Sequence, residues 1–581
     1  MATETIVSPG VLLQEVDRSF ITPGVDPSGL AIIGPAVKGP VEVPTLVNNY
    51  NEYKNIYGTT LESASNSFEY FTSVAVKNYF QNGGSTALVT RVVKTANNWA
   101  PASSSVIEAV SASDSSSNPF ILETISKGTT ANSAGGSGLL SNGALDSGSV
   151  DNVRWEITNL NKKAGTFTLV VRRGDDTTAK PIVLEQFTEC SLDPTSTNYL
   201  PRKVGDTTFD YETDKVVARG EFPNRSNFIR VKSVTSNLFE YRLPDGTTNN
   251  ATIRGVTDTA DNFLPNSGSG SFEGGTGGNL DGNPLFEHNI TSTNIQGLGT
   301  SDYTRAITLM KNKEEYRFKT LIVPGLNQKN HSTTVNTIIE NTTSRGDSFY
   351  VLDLVPYGNT TTEVTTEANE IDTSFAAAYW PWSQVRNNNL GRNVWVPSSV
   401  VIPGVYAKND SIAAPWFAPA GLTRGGITNV VKVEKKLSKA VRDTLYSNKV
   451  NPLATFPSQG IVVFGQKTLQ TAASALDRVN VRRLLLDVKD TINGFSKSIV
   501  FEQNTQQTRD RFVRQATPYL ESLVQRQGLY AFQVKMDGQL NTPDIIDENK
   551  LVGQVFLQPS RTAEFIVLDF ILTPTGASFT D

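Results

Sequence analysis

The residues able to do chemistry are few and scattered. His288 and His331 are the only histidines and Cys190 is the only cysteine. Neither histidine lies in an HExxH pattern or near a thiol, and no carboxylate spacing around them is that of a zinc site. A lone cysteine allows no intrachain disulfide and no thiolate cluster. No G-x-x-x-x-G-K-[ST] occurs, and Gly268-Ser269-Gly270 with Gly274 lies in a Gly/Ser tract without the strand and helix that phosphate binding needs. The sequence is therefore read as having no catalytic residue, no cofactor site and no metal site. Trp380, Trp382 and Trp416 with Tyr379 and Tyr406 have the composition of a carbohydrate platform, but their setting among prolines and β-like runs equally suits core packing.

With no site to position, the chain's elements must serve another purpose. A chain of 581 residues with 38% hydrophobic and 19% charged residues is globular and long enough for roughly three to five domains. No stretch approaches the ~18 apolar residues of a membrane span, and Met1–Thr5 lack the features of a signal peptide. A soluble product made in the cytoplasm is expected. The predicted fold class is mixed α/β (α+β) and multidomain, with an α/β core at 24–95 and 301–426 carrying one or more inserted β-rich domains at 96–300. An extended N-terminal arm at 1–23, a C-terminal domain at 427–560 and a terminal strand or arm at 561–581 complete the expected organisation. Buried-strand runs at 30–34, 87–93, 320–323 and 350–353 support the core, and Gly-, Ser- and Thr-rich stretches at 111–118, 128–150 and 265–283 mark the insert. Three helices are predicted near the C-terminus, from Val430 to Leu445, Val481 to Ile492 and Phe512 to Leu523. Strands are expected at 460–465, 551–557 and 563–572.

Charge is uneven. Residues 427–526 hold 16 Lys and Arg against 8 Asp and Glu, a local +8 in a chain of net −5. Such an excess predicts an acidic partner surface, and without interleaved aromatics it argues against nucleic acid. Arg509, Arg511, Arg514 and Arg526 on one helix, and Lys435 and Lys439 on another, are the competing candidates; a solvated helix face is the alternative for either set.

Ordered motifs resemble the contractile tail sheath proteins of myoviruses: Ser8-Pro9-Gly10-Val11 with Glu15-Val16, Ile33-Gly34-Pro35 through Gly39-Pro40, and Tyr79-Phe80-Gln81-Asn82-Gly83-Gly84. Further motifs are Ser191-Leu192-Asp193-Pro194 through Tyr199, Tyr379-Trp380-Pro381-Trp382, Val401 to Ala407, Pro415 to Gly421, Val479 to Leu484, Phe501-Glu502-Gln503-Asn504 and Ala563 to Val567. No sheath motif is found at 96–150 or 205–300. The resemblance implies a virion subunit, made and assembled in the host cytoplasm, that polymerises with itself around a tail tube in a metastable state. A baseplate then triggers contraction, and a tail terminator completes the partner set; neither nucleic acid nor membrane is a partner. It implies that the C-terminal domain faces the tube and that arms add strands to a neighbour's sheet, which assigns Val11, Leu12, Leu13, Glu15 and Val16, and Phe565, Val567 and Phe570, to contacts between subunits. An ordinary strand of the same chain is the competing reading of the C-terminal run. The sheath of a tailocin or extracellular injection system would read alike, and a β-rich adhesin is a more distant alternative.

Overall fold

Parallel strands sit in a sheet interior, so their side chains must be apolar on both faces. Six such strands run Ala87–Arg91, Ser28–Gly34, Phe318–Ile322, Phe349–Leu352, Ala376–Trp380 and Val450–Phe456, in that spatial order. Antiparallel strands Thr45–Val47 and Gly460–Val463 close the two edges of this eight-stranded sheet. In this computed structural model the described residues are 28–564, apart from 64–65, 96–98, 105–106, 108–117, 133–138, 213–214, 235–263, 278–287 and 458.

Alternation along one strand assigns the two faces. Leu30 and Ile32 pack with Val74 and Ala75 of the Phe71–Gln81 helix and Val401 and Val405 of the Ser398–Ile412 helix. Ala31 and Ile33 meet the opposite layer, formed by Ile307, Val335, Ile338, Val364, Ala368 and Leu445 from four further helices. The Gly34–Pro40 motif is the loop leaving this strand. Its carbonyls at Ala36, Val37 and Gly39 accept from the buried Arg91 guanidinium at 3.1, 3.3 and 2.7 Å. Gly39 holds φ +105, and a Cβ there would come within 2.7 Å of the Tyr57 ring.

Strands between Pro101 and Glu273 form a separate seven-stranded antiparallel sheet around Phe120, Trp155, Phe167 and Leu169. One of them, Gly268–Glu273, corrects the reading of 265–283 as low-complexity chain. Its small residues pass between two neighbours, Val153–Asn161 and Pro101–Ser104, with Ser271 and Phe272 buried. The limit at residue 300 also needs correction. Ile290, Ile295 and Leu298 are buried in the two central clusters. His331 fastens this stretch: its Nδ1 accepts from Asn327 N–H at 3.2 Å, so Nε2 carries the proton and donates to Thr291 O at 3.0 Å. Burial lowers the pKa of this imidazole.

The expected division at 427 runs through one body. Val450–Phe456 and Gly460–Val463 are strands of the main sheet, and Val430–Val433 pairs with Ser383–Asn387. The helix predicted over Val430–Leu445 is therefore a strand followed by a shorter helix, Lys439–Ser447, which starts where Ser438 caps Val441 N–H. The β-branched run Val430-Val431-Lys432-Val433 favours the strand. The C-terminal unit comprises helices Val479–Lys497 and Gln506–Gln525 and the hairpin Leu529–Lys535/Gln554–Pro559. It is joined to the central body by ion pairs Arg483–Asp410, Arg317–Asp490 and Lys319–Asp487, the last at 2.7 Å.

Asp353, just beyond a central strand, is fully enclosed and receives the Ser399 N–H at 3.0 Å and the Ser399 hydroxyl, closing the start of the Ser398–Ile412 helix. Burial pushes its carboxyl up to about 7 despite those bonds. Because the folded state holds this proton more tightly than the unfolded one, its stabilising contribution is complete below about pH 4 and is lost as pH rises through about 7. Asp353→Asn should flatten the fall in melting temperature across that window, and identical pH profiles for the two proteins would show that Asp353 does not titrate there. Deleting residues 100–286 with a short linker should leave a soluble core. Extending the deletion to 300 removes Ile290, Ile295 and Leu298, each worth about 2–5 kcal/mol by analogy with truncation to Ala, and should prevent folding. Equal stability of both deletions in chemical denaturation would show that the 288–298 segment is dispensable.

Candidate assembly surfaces

A two-stranded sheet leaves one edge of each strand open. In the C-terminal hairpin, Gln533 pairs with Phe556 and Val534 with Val555, and neither strand has another partner strand among the described residues. Its inner face, Phe532, Val534, Val555 and Leu557, packs on Leu484, Val488, Leu520 and Leu523 of the two helices. Its outer face shows Tyr530 at 83% and Phe556 at 52% exposure. Among the described residues these outer edges have no partner strand, which makes them a template for strand addition. The main sheet treats its Gly460–Val463 edge differently, since Ile427 N–H donates to Ile461 O at 3.1 Å and Val463 N–H to Gly425 O at 2.8 Å. Leu529–Lys535, not among the expected strands, carries a sequence signal: after Gly528, Phe532 and Val534 alternate with Ala531, Gln533 and Lys535.

The six basic candidates do not share one environment. Arg509 is 8% exposed, and its guanidinium donates to Asn504 Oδ1 at 3.0 Å and to Gln506 Oε1 at 3.2 and 3.3 Å, tying down the start of its own helix. It is not an exposed contact residue. Arg511 pairs with Glu502 at 3.3 Å, whereas Arg514 is exposed. Arg526, also exposed, lies 4.6 Å from the Trp416 ring centroid. Lys435 is in the central body, donating to Asn359 O at 2.6 Å, and Lys439 is exposed at the start of its helix. The outer stripe of the Gln506–Gln525 helix also carries Asp510 and Glu521, so its charge is mixed. The local excess counted along 427–526 is partly internal: Lys449, Arg482, Arg483 and Arg509 are all buried.

Residues assigned to the arms, Val11, Leu12, Leu13, Glu15 and Val16 and Phe565, Val567 and Phe570, lie outside the described residues. The tryptophans resolve as core. Trp380, Trp382 and Trp416 are buried, Trp382 Nε1 donates to Val355 O at 3.1 Å and Trp416 Nε1 to Arg526 O at 3.0 Å. Burial pushes the Cys190 thiol up to about 11, which leaves it unreactive at neutral pH.

These features define a multidomain mixed α/β protein whose C-terminal helix–hairpin unit presents open strand edges. Residues 296–469 match the phage tail sheath protein central domain and residues 471–573 the phage tail sheath C-terminal domain, so that just under half of the chain carries both domains of the phage tail sheath family. It is 38% identical over 187 residues to the tail sheath protein of Enterobacteria phage T4, a stretch covering 32% of this chain and 28% of that one. It is likewise 38% identical over 190 residues to the tail sheath protein of Vibrio phage KVP40, covering 33% and 28%. The chain thus matches under a third of the length of these relatives. Among solved structures it is similar to the contracted helical sheath of the anti-feeding prophage, at 16% identity over 98% of this chain and 99% of that one with a TM-score of 0.48. The sheath tail protein of Listeria innocua aligns over 92% and 96% at 11% identity, with a TM-score of 0.49.

Charge reversal separates the structural arginine from the exposed ones. Arg509→Glu should destabilise the chain by on the order of 2 kcal/mol, because it buries a carboxylate beside two amide oxygens. Arg511→Glu with Arg514→Glu should change stability by less than about 1 kcal/mol. Denaturant unfolding that ranks the two variants the other way would refute this division.

Proposed function

We propose that this chain is the structural subunit of a contractile phage tail sheath, which polymerises around a tail tube in an extended, metastable state. Contraction, triggered at the baseplate, drives the tube through the host envelope for genome delivery. The observation that carries the reading is that the stretch matching the two sheath domains contains a hairpin, Leu529–Lys535/Gln554–Pro559, whose outer edges have no partner strand among the described residues. Segments around Val11–Val16 of one neighbour and Phe565–Phe570 of another add as strands to those edges, so that subunits stay linked while their bodies rotate. Strand addition suits this task because main-chain hydrogen bonds tolerate a change in orientation at the base of each arm. The phage-tail form of the reading is supported by the phage sheath proteins among its relatives. Arg514 and Arg526, which are exposed, and the half-buried Arg511 are the arginines of the C-terminal unit offered to an acidic tube, with the tail terminator capping the finished polymer. No fuel is required if the contracted packing is the more stable of the two.

A chain beginning near Gly24 should remain soluble, folded and monomeric but fail to form sheath-like tubes. Calorimetry and negative-stain microscopy on one preparation test this. Regular tubes from the truncated chain would show that the N-terminal arm is dispensable, and aggregation with a sharply lowered melting temperature would show that it belongs to the subunit's own core.

A further inference from the structure

After the hairpin the chain turns back across the boundary between the two sheath domains. Ser560 N–H still bonds Gly528 O at 3.2 Å, and the next residues cross an open groove lined by Ser474, Ala475 and Val481. Arg561 and Ala563 are exposed, so this strap has little apolar packing to hold it. It is held instead by side-chain hydrogen bonds, most of them to one residue. Glu564 Oε2 accepts from the Tyr446 hydroxyl at 2.7 Å, and Oε1 accepts from Arg478 Nε at 2.8 Å and Gln466 Nε2 at 3.0 Å. Gln466 Nε2 also donates to Thr562 Oγ1 at 2.6 Å.

The three donors come from three separate places. Tyr446 is on the Lys439–Ser447 helix, Gln466 follows the edge strand of the main sheet, and Arg478 immediately precedes the Val479–Lys497 helix. Two of them lie in the central domain, while Arg478 and Glu564 lie in the C-terminal one. Burial opposes the Glu564 charge, but the bonds from Tyr446, Arg478 and Gln466 outweigh it and hold the carboxyl below its ordinary range. Charge-assisted bonds of this kind are among the stronger polar contacts available.

We propose that Glu564 is the anchoring residue of the C-terminal arm, whose clasp fixes the point and direction from which residues 565–581 leave the subunit. This rests on the arm reading given above. An anchored root restricts the arm to acceptors near the point where it leaves. Without the clasp the free segment would start some four residues earlier, near Ser560. The arm's effective concentration at a neighbour's hairpin would then fall.

The test uses the full-length chain. Glu564→Ala should leave the melting temperature nearly unchanged, raise amide exchange at 560–564 in the monomer at least fivefold, and raise the critical concentration for tube formation about fivefold or more. Arg478→Met and Tyr446→Phe should move both readouts in the same direction by less. Unchanged exchange in Glu564→Ala would overturn the clasp. Faster exchange with an unchanged critical concentration would overturn its role as the arm's anchor. A chain ending at Glu564 keeps the two ideas apart: tubes at the normal critical concentration from that chain would sink the arm reading itself. Loss of tubes from it, with normal tubes from Glu564→Ala, would sink the anchor alone.

Discussion

The pairing of Ser28–Gly34 between Ala87–Arg91 and Phe318–Ile322 is the constraint on which the rest of the structure depends. One neighbour is close in sequence and the other lies nearly three hundred residues away, so the chain must leave the sheet, build the β-rich insert and return before the central strand is satisfied. This is a costly loop to close, although its cost grows only slowly with length. The insert folds on its own cluster around Phe120 and Phe167, so most of the intervening chain is already compact. The returning segment at 288–298 then adds Ile290, Ile295 and Leu298 to the central clusters and is pinned by His331, which completes the closure.

A second constraint is electrostatic. Arginines are used internally to join layers, two of them from the 427–526 stretch whose charge count suggests a surface field. Arg91 gathers loop carbonyls, Arg483 meets Asp410 and Tyr406 across the junction of the two sheath domains, and Arg482 stacks at 4.1 Å on Phe375. Guanidinium suits this work because it stays charged and has five donors in a planar fork. The price is that formal charge along a segment says little about its surface potential.

The legibility of the fold follows from the same physics. Runs such as Leu30-Ala31-Ile32-Ile33 and Tyr350-Val351-Leu352 could be read because strands buried on both faces carry an unbroken apolar code. The helices at 479–497 and 506–525 were legible because one face is buried and periodicity survives. Val430–Leu445 misled because Val430 and Val433 in a strand, Leu437 in the link and Val441 and Leu445 in the following helix fall by chance on a helical spacing. Gly268–Glu273 was hidden because its glycines and serines carry no apolar alternation and locally resemble a linker. The Glu564 clasp had no sequence signal, since its donors are separated from it by 86 to 118 residues.

The open hairpin has a consequence for how a long polymer avoids mistakes. Its strands are seven and six residues long. A strand added at one edge uses half of that edge strand's backbone groups, roughly six or seven hydrogen bonds each worth about 1 kcal/mol net, and much of this is offset by about 1–2 kcal/mol of conformational entropy for each arm residue ordered. On the proposed arm pairing, a single docked arm is held by only a few kcal/mol and dissociates readily, whereas a subunit engaged by several arms at once does not. On that pairing growth would proofread itself: a subunit seated in the wrong orientation would make one link and leave, and only correct placement, closing several links together, would become permanent.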